Sequence, residues 1–310
     1  MRLLTLLGPP PLWWGWVLVA FGLASAGLGV LFALAQHDLK RLLAYHSVEN
    51  IGIILMGLGT AVMARSLDAS AVVAIGLAAA LFHVANHATF KALLFMGAGA
   101  IDAAAGTRDL ERLGGLARRM PITAVCFLVG SAAISALPPL NGFASEWMTF
   151  QGLLALGHAA SEPQLALLPL LLGGALALTG ALALACFVKA FGVSFLALPR
   201  SPRAAAAREA SGLELAAMVT LAVACVALGI GAVPVVAFIG TLVPAAAVLG
   251  GASSGPLEIA GGRIALPALA ATLGALAVFA VAAPRLLGPV RTRVSETWVC
   301  GVTLHPVHQY

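Results

Sequence analysis

Long apolar stretches alternate with short polar segments along this chain of 310 residues. Each stretch approaches or exceeds the roughly 20 residues that an α-helix needs to span a bilayer, and none shows the alternation of an outer-membrane strand. The pattern therefore predicts an all-α polytopic membrane protein of about seven transmembrane helices, folded as one membrane domain over residues 1–310. The seven stretches are Trp13–Gln36, Leu42–Ala64, Ala69–Ala100, Pro121–Gly157, Ala166–Leu198, Leu213–Val233 and Ile264–Pro284.

The fourth stretch, Pro121–Gly157, predicts a helix that is broken near its middle. As one straight helix it would reach roughly 55 Å, against about 30 Å of hydrocarbon, and it is too short for two spans. Pro138 and Pro139 remove two backbone donors, and Gly142 follows closely. Transporters build ion sites at such discontinuous helices. Glu146 comes just after the break, so we interpret the break and the carboxylate as one functional device.

Charge is scarce and unevenly placed. Charged residues make up 9% of the chain and the mean hydropathy is +1.02, whereas a soluble domain carries roughly 25% charged residues. The net charge of +5 comes from alternate loops, which argues for a lipid bilayer as the surrounding partner and against nucleic acid. The positive-inside rule then predicts a multi-pass protein of the inner (plasma) membrane, with the N-terminus outside and the C-terminus cytoplasmic. The residues that decide this are Lys40, Arg41, Arg108, Arg112, Arg118, Arg119, Arg200, Arg203, Arg208, Arg285, Arg291 and Arg293.

The second apolar stretch carries polar residues at its start and inside it. Asp38 is placed to cap the helix N-terminus, and Lys40 marks the cytoplasmic end. His46, Glu49 and Asn50 are spaced by three and four residues and so share one face. Glu49 lies roughly 13 Å into the helix, where a charge is costly without water or a partner. Two interpretations stay open: a structural hydrogen-bond cluster, or part of a path for protons.

A stripe of basic residues runs along the third stretch. His83, His87 and Lys91 are four residues apart and face one side of a helix near mid-membrane. Two histidines at this spacing could bind a metal, but the stripe offers no acidic ligand and continues into a cation. Histidine exchanges protons near neutral pH, so the stripe favours a proton relay and no metal site. Lys189 in the fifth stretch either reaches the inner surface or ends the same polar line.

No cofactor is predicted. Dinucleotide and phosphate-binding fingerprints are missing from the sequence, and no cysteine set suits an iron–sulfur cluster. Cys126, Cys186, Cys225 and Cys300 each stand alone. What remains is a set of acids and bases on four neighbouring spans, which we interpret as a lateral track that moves protons. A structural scaffold whose buried charges only pair with each other is the alternative.

Three motifs resemble the antiporter-like membrane subunits of respiratory complex I and their relatives. The segment 35–47, AQHDLKRLLAYHS, resembles the family signature Q-x-D-x-K-R-x-L-A-Y-S, and the segment 83–95, HVANHATFKALLF, resembles its H-x-x-x-H-x-x-x-K-A-L-L-F helix. The segment 137–146, LPPLNGFASE, resembles its broken helix. The variant YHSVENIG at 45–52 is most similar to the large antiporter-like subunit of membrane-bound nickel–iron hydrogenases and formate hydrogenlyase.

The resemblance implies proton translocation coupled to electron transfer in partner subunits. It implies that Lys91, His83 and His87 lie on a central axis and that Glu146 is the terminal residue of a half-channel. Residues 11–198 resemble the second of the family's two inverted five-helix repeats, and residues 199–310 its C-terminal helices and a cytoplasmic tail. The first repeat is absent, which a truncated gene, a split gene or a decayed copy would each explain. The expected partners are other membrane subunits of a complex I-like or hydrogenase complex, among them a separate chain that carries the missing repeat.

The sequence thus predicts a proton-translocating, non-redox subunit of an oxidoreductase complex of the NADH:quinone oxidoreductase or hydrogenase type. A subunit of a multisubunit cation/proton antiporter without redox partners shares the same motifs and is the alternative. The choice between protons and sodium, the electron donor and the direction of transport stay open at this stage.

Overall fold

Helices make up almost all of the structure, a computed structural model that describes residues 10–159, 163–242, 257–259 and 262–287. Two single-turn 3₁₀ helices, Leu110–Arg112 and Leu116–Arg118, and a short antiparallel hairpin complete this part of the chain. The helices are α1 (Leu12–Leu34), α2 (Leu39–Ser66), α3 (Ser70–Ala105), α4 (Pro121–Ile134), α5 (Asn141–Ala159), α6 (Pro163–Phe195), α7 (Pro202–Ala206), α8 (Gly212–Ile230), α9 (Ala232–Leu242) and α10 (Leu266–Leu287); the hairpin strands are β1 (Leu257–Ile259) and β2 (Gly262–Ile264).

The prediction of an all-α polytopic membrane protein is confirmed. Six of the described helices, α1, α2, α3, α6, α8 and α10, are long and apolar enough to cross a bilayer. The fourth apolar stretch is divided between α4 and α5. Helices α2 and α3 form the centre, with 72% and 67% of their most apolar segments buried, whereas only 6% of that segment of α10 is buried. The predicted charges at Arg291 and Arg293, together with Cys300, lie outside the described residues.

The predicted break in the fourth stretch is present. Helix α4 ends at Ile134 and α5 begins at Asn141, with Pro138 and Pro139 in the intervening segment. The two half-helices approach so closely that a Cβ atom on Gly142 would lie 1.9 Å from the carbonyl oxygen of Ala133. Only glycine fits at this contact, which explains why it follows the proline pair.

A second interruption, which the sequence analysis did not predict, divides the stretch after α7. Helix α8 ends at Ile230 and α9 continues to Leu242, beyond the expected end at Val233. Pro234 has no N–H, and its ring would clash with the carbonyl of Ile230 in a continuous helix. The two breaks meet, because a Cβ on Gly229 would lie within 3 Å of backbone atoms of residues 139–141.

Glycines bring α1 and α2 into backbone contact. A Cβ on Gly22 would lie 2.8 Å from the carbonyl oxygen of Gly52, and a Cβ on Gly52 would lie 2.4 Å from the carbonyl oxygen of Gly22. Further along, a Cβ on Gly29 would lie 2.6 Å from the amide nitrogen of Glu49. Small residues allow membrane helices to pack this closely. The packing covers the backbone at Glu49 and holds that side chain inside the bundle.

Candidate functional site

Buried polar side chains gather where α2, α3 and α5 meet. Each of them is less than 7% exposed, although the surrounding helices are strongly apolar. Burial of polar groups is unfavourable unless they find hydrogen-bond partners. The hydrogen bonds that these groups form therefore determine the chemistry of which the site is capable. The set comprises His46, Glu49, Asn50, His83, Asn86, Lys91, Asn141, Ser145 and Glu146.

The part of the site on α2 is an acid–base pair. Nδ1 of His46 bonds to the carboxylate of Glu49, one helical turn away. The His46 ring packs against Phe187 of α6, with 4.6 Å between ring centroids. Asn50 donates from its side-chain amide to the carbonyl of His46 at 2.8 Å. That bond orients the Asn50 amide so that its oxygen faces away from His46.

His83 connects this pair to the broken helix. Its Nε2 lies 3.1 Å from Oδ1 of Asn50, and its Nδ1 lies 2.9 Å from Oγ of Ser145. An amide oxygen only accepts hydrogen bonds, so Nε2 carries the hydrogen in the neutral ring and Nδ1 accepts from the Ser145 hydroxyl. The nitrogen that is free to take up a proton therefore faces α5.

Asn86 fastens α3 to the first turn of α5. Its side-chain amide donates to the carbonyl of Asn141 at 2.8 Å and to Oγ of Ser145 at 3.0 Å. The side-chain oxygen of Asn86 and the side-chain nitrogen of Asn141 are buried with no protein partner among the described residues. Hydrogen-bonding capacity therefore remains beside His83 at the break, where water would satisfy it.

Glu146 lies in a cavity of about 430 Å³ between α5 and α6. Its side chain is 5% exposed, and no residue in the described part of the chain donates a hydrogen bond to its carboxylate. Ser135, Trp147 and Gln151 line the same cavity. Oγ of Ser135 and Nε1 of Trp147 are likewise buried without a protein partner in the described ranges. The carboxylate thus shares this cavity with three further polar groups that can hold water.

Lys91 and His87 continue the polar line along α3. Lys91 is 6% exposed, donates from Nζ to the carbonyl of Leu43 at 2.5 Å, and lies 5.7 Å from the centroid of the Phe95 ring. One turn earlier, Nε2 of His87 is buried and has no partner among the described residues. Neither Lys91 nor His87 forms an ion pair with Glu49, whose carboxylate pairs with His46.

The remaining predicted residues lie at, or bind to, the ends of helices. Nζ of Lys189 donates to the carbonyls of Leu34 at 2.6 Å and Gln36 at 3.0 Å, at the C-terminal end of α1. Asp38 caps α2 by accepting from the backbone N–H of Arg41 at 2.9 Å. Lys40 pairs with Asp102 at 2.9 Å, which ties the start of α2 to the last turn of α3.

Residues 1–162 match the model of a family described as NADH:quinone oxidoreductase/Mrp antiporter, transmembrane. This chain belongs to that family. Formate hydrogenlyase subunit 3 of Escherichia coli (strain K12) is 42% identical over 300 residues, covering 95% of this chain and 47% of the relative. Hydrogenase-4 component B of the same organism is 49% identical over 222 residues, covering 72% of this chain and 33% of the relative. The chain therefore spans less than half the length of either relative.

The fold is shared with a solved structure. The membrane-bound sulfane sulfur reductase, an archaeal respiratory membrane complex, contains a chain that superposes with a TM-score of 0.71 at 24% identity, over 93% of this chain and 44% of that one. The spanning helices and the NADH:quinone oxidoreductase/Mrp antiporter family together identify a multi-pass protein of the plasma membrane. The relatives in this family are named as parts of larger enzymes.

Several polar residues of the site escaped the sequence analysis: Asn86, Asn141, Ser145, Trp147 and Gln151. A serine or asparagine in an apolar helix is too common to single out. Only the place of two of these residues in the sequence indicates a role in the site. Asn86 lies between the two histidines of the family motif, and Ser145 directly precedes Glu146. The contact of Ser145 with His83 joins residues 62 positions apart and follows only from the packing of α3 on α5.

Proposed function

We propose that this chain is a proton-translocating membrane subunit of a respiratory or hydrogenase-type redox complex. Membership of the NADH:quinone oxidoreductase/Mrp antiporter family and similarity to formate hydrogenlyase subunit 3 support the proposal. The observation that carries it is the contact between His83 and Ser145, which joins the basic stripe of α3 to the residue beside Glu146. Acids and bases are buried on both sides of this contact, as a proton path across a bilayer requires.

In the proposed path, protons move between Lys91, His87, His83 and Glu146. His83 takes up and returns its proton at Nδ1, because Nε2 is held by an amide oxygen that cannot relay one. The Ser145 hydroxyl and water at the break and in the Glu146 cavity bridge the gap to the carboxylate. A change of charge or hydration in a neighbouring subunit alters the protonation of Lys91 and starts the transfer.

The pair formed by His46 and Glu49 acts on this path through its charge. Asn50 stands between the pair and His83, bonded to both residues, and it does not ionise. Glu49 therefore helps to set the field in which Lys91 and His83 exchange protons. Lys189 extends the track towards the end of α1, where its ammonium group already binds two carbonyls.

The proposal includes the orientation and the partners. The cytoplasmic side carries Asp38 and Lys40, the N-terminus lies outside and the C-terminus inside, as the distribution of arginine and lysine favours. The partners are other membrane subunits of a complex I-like or hydrogenase complex. More than half of each named relative lies outside the matched part. We therefore include a separate chain with the counterpart repeat among these partners.

The substitution Glu146→Gln tests the function in the assembled complex. Inverted membrane vesicles are energised with formate or with NADH, and acidification of their lumen is followed with a fluorescent pH-gradient dye. Loss of acidification with continued electron transfer is expected, because glutamine keeps the shape of the side chain and cannot release a proton. Glu214→Gln is the matched control, since Glu214 caps the start of α8 at an exposed position.

Two results would contradict the proposal. Acidification that survives Glu146→Gln would remove the carboxylate from the path. The second result has two parts: formate and NADH drive no pumping through this complex, and added sodium or potassium ions collapse a pH gradient that other respiratory enzymes have made. This result would assign the chain to cation/proton antiport instead.

A further inference from the structure

An apolar groove of about 650 Å³ runs along the outer surface between α4 and α8. Aliphatic side chains of both helices line it, among them Val125, Val129, Val219 and Val223. Val125 is 62% exposed and Val223 is 61% exposed, so the groove is open on its outer side. In the bilayer this side faces either lipid or a neighbouring subunit. The charges near the end of the groove at the membrane surface favour one of the two.

Three exposed arginines lie near the end of the groove where α4 begins. Arg118 and Arg119 lie three and two residues before Pro121, the first groove residue on α4, and both are exposed. Arg208 is also exposed, and its neighbour Glu209 accepts hydrogen bonds from the backbone N–H of Ile122 at 2.8 Å and the hydroxyl of Thr123 at 2.6 Å. Glu209 thereby holds the backbone at Arg208 against the start of α4.

These arginines differ from other basic residues of the same membrane surface. Lys40 pairs with Asp102, and Arg108 pairs with Asp38. No acidic side chain in the described part of the chain pairs with Arg118, Arg119 or Arg208, and the carboxylate of Glu209 is occupied by α4. A local charge of about +2 therefore remains at the mouth of a groove that has an apolar lining.

The length and the charge of the groove fit an anionic phospholipid. The α4 side runs from Pro121 to Val129, which is about 12 Å at the helical rise and close to the depth of one leaflet. An apolar helix would leave the three arginines without an anionic partner, whereas a phospholipid carries an anionic headgroup next to its acyl chains. We propose that the groove binds an anionic phospholipid, with an acyl chain between α4 and α8 and the phosphate against the three arginines.

A photoreactive side chain tests the proposal in the intact protein. Benzoylphenylalanine replaces Val223 in the groove and, as a matched control, Val188, which is 64% exposed on α6. The full complex is placed in nanodiscs with equal parts of phosphatidylglycerol and phosphatidylcholine, irradiated, and analysed by mass spectrometry. At Val223 the adducts are expected to favour phosphatidylglycerol several-fold, whereas at Val188 they follow the composition of the disc.

Neutral variants then assign the selectivity to the arginines. Each of R118Q, R119Q and R208Q should reduce the preference for phosphatidylglycerol at Val223 by up to about fivefold, the effect of one basic side chain near an anionic headgroup. R65Q, at an exposed arginine at the end of α2, should leave it unchanged. Equal labelling of both lipids at Val223, a preference that survives the triple glutamine variant, or a crosslink to a protein subunit would each overturn the proposal.

Discussion

The hydroxyl of Ser145 lies 2.9 Å from Nδ1 of His83, and this contact is where the central helix meets the broken one. Ser145 is the residue before Glu146, so about 100° of helical rotation separates the two side chains. One of them faces α3 and the other faces the cavity beside α6. A single turn of α5 therefore presents a hydroxyl to His83 and a carboxylate to the cavity. In the proposed path, a proton that crosses this turn passes from the contact between α3 and α5 to the cavity between α5 and α6.

Ser145→Ala should reduce proton translocation strongly while electron transfer in the complex continues. The substitution removes the group that bonds to His83 and to Asn86, which leaves two buried polar groups without that partner. Thr149→Ala is the matched control, because the Thr149 hydroxyl is buried one turn later and, among the described residues, bonds only to the carbonyl of Ser145 in its own helix. Acidification of inverted vesicles is the measurement. Equal rates for the two variants would show that the serine contact carries no protons.

Asn50→Leu should impair translocation and change its dependence on pH. Leucine has nearly the shape of asparagine but accepts no hydrogen bond, so the Nε2 hydrogen of His83 loses its partner. The neutral ring can then carry its hydrogen on either nitrogen. Nδ1, which faces α5, is therefore no longer always the nitrogen that takes up a proton. Removal of one partner of a buried hydrogen bond costs about 1–3 kcal/mol.

Thr60→Val controls for a loss of stability in the Asn50 experiment. The Thr60 hydroxyl is buried in the same helix, and its one bond within the described part of the chain is to the carbonyl of Met56. Translocation by both variants is followed across a range of pH values. The contrary result is a pH profile of Asn50→Leu that keeps its shape while only its amplitude falls. That result would assign Asn50 a structural role, and the proposed positioning of His83 would be wrong.

The membrane spans and the first break could be predicted because each depends on a local property of the sequence. A segment of about 20 apolar residues partitions into lipid whatever its neighbours are, and a proline pair removes backbone donors wherever it occurs. The length of the stretch, together with Pro138 and Pro139, predicts the discontinuous helix. The second interruption has the same kind of signal in Pro234, but that proline lies one residue beyond the expected end of its apolar stretch.

The contacts inside the site could not be predicted, because they depend on how helices rotate against each other. Spacing predicts that His83 and Lys91 share a face, but it does not say that Asn50 and Ser145 lie on either side of the His83 ring. Those partners are 33 and 62 residues away along the chain. Glycine contacts such as Gly22 with Gly52 fix the packing that brings distant polar residues together, and their geometry is a property of the fold.

Gly142→Ala should destabilise the protein. The added Cβ would lie 1.9 Å from the carbonyl oxygen of Ala133, so the two half-helices would have to move apart. Overpacking of this kind typically costs about 1–3 kcal/mol. Gly99→Ala is the control, because nothing lies within 4 Å of the new Cβ and alanine favours helix over glycine by up to about 1 kcal/mol. Thermal unfolding in detergent should separate the variants, and equal melting temperatures would contradict this account of the break.

Lys189→Gln separates the two possible roles of that lysine. In the structure its ammonium group donates to the carbonyls of Leu34 and Gln36, which accept no backbone hydrogen bond from the described residues and, at the end of a helix, favour a cation. Glutamine can still donate hydrogen bonds but carries no charge and binds no extra proton. If Lys189 is the last cation of the track, as we propose, vesicle acidification falls while the protein remains folded.

Lys189→Met is the companion variant, since it loses both the charge and the hydrogen bonds. Its melting temperature should fall below that of Lys189→Gln, because the two carbonyls then lose a donor in a partly buried position. Translocation should be equally low in both variants, since both lack the charge. Normal acidification by Lys189→Gln, together with destabilised Lys189→Met, would confine Lys189 to capping α1 and end the proposed track at Lys91.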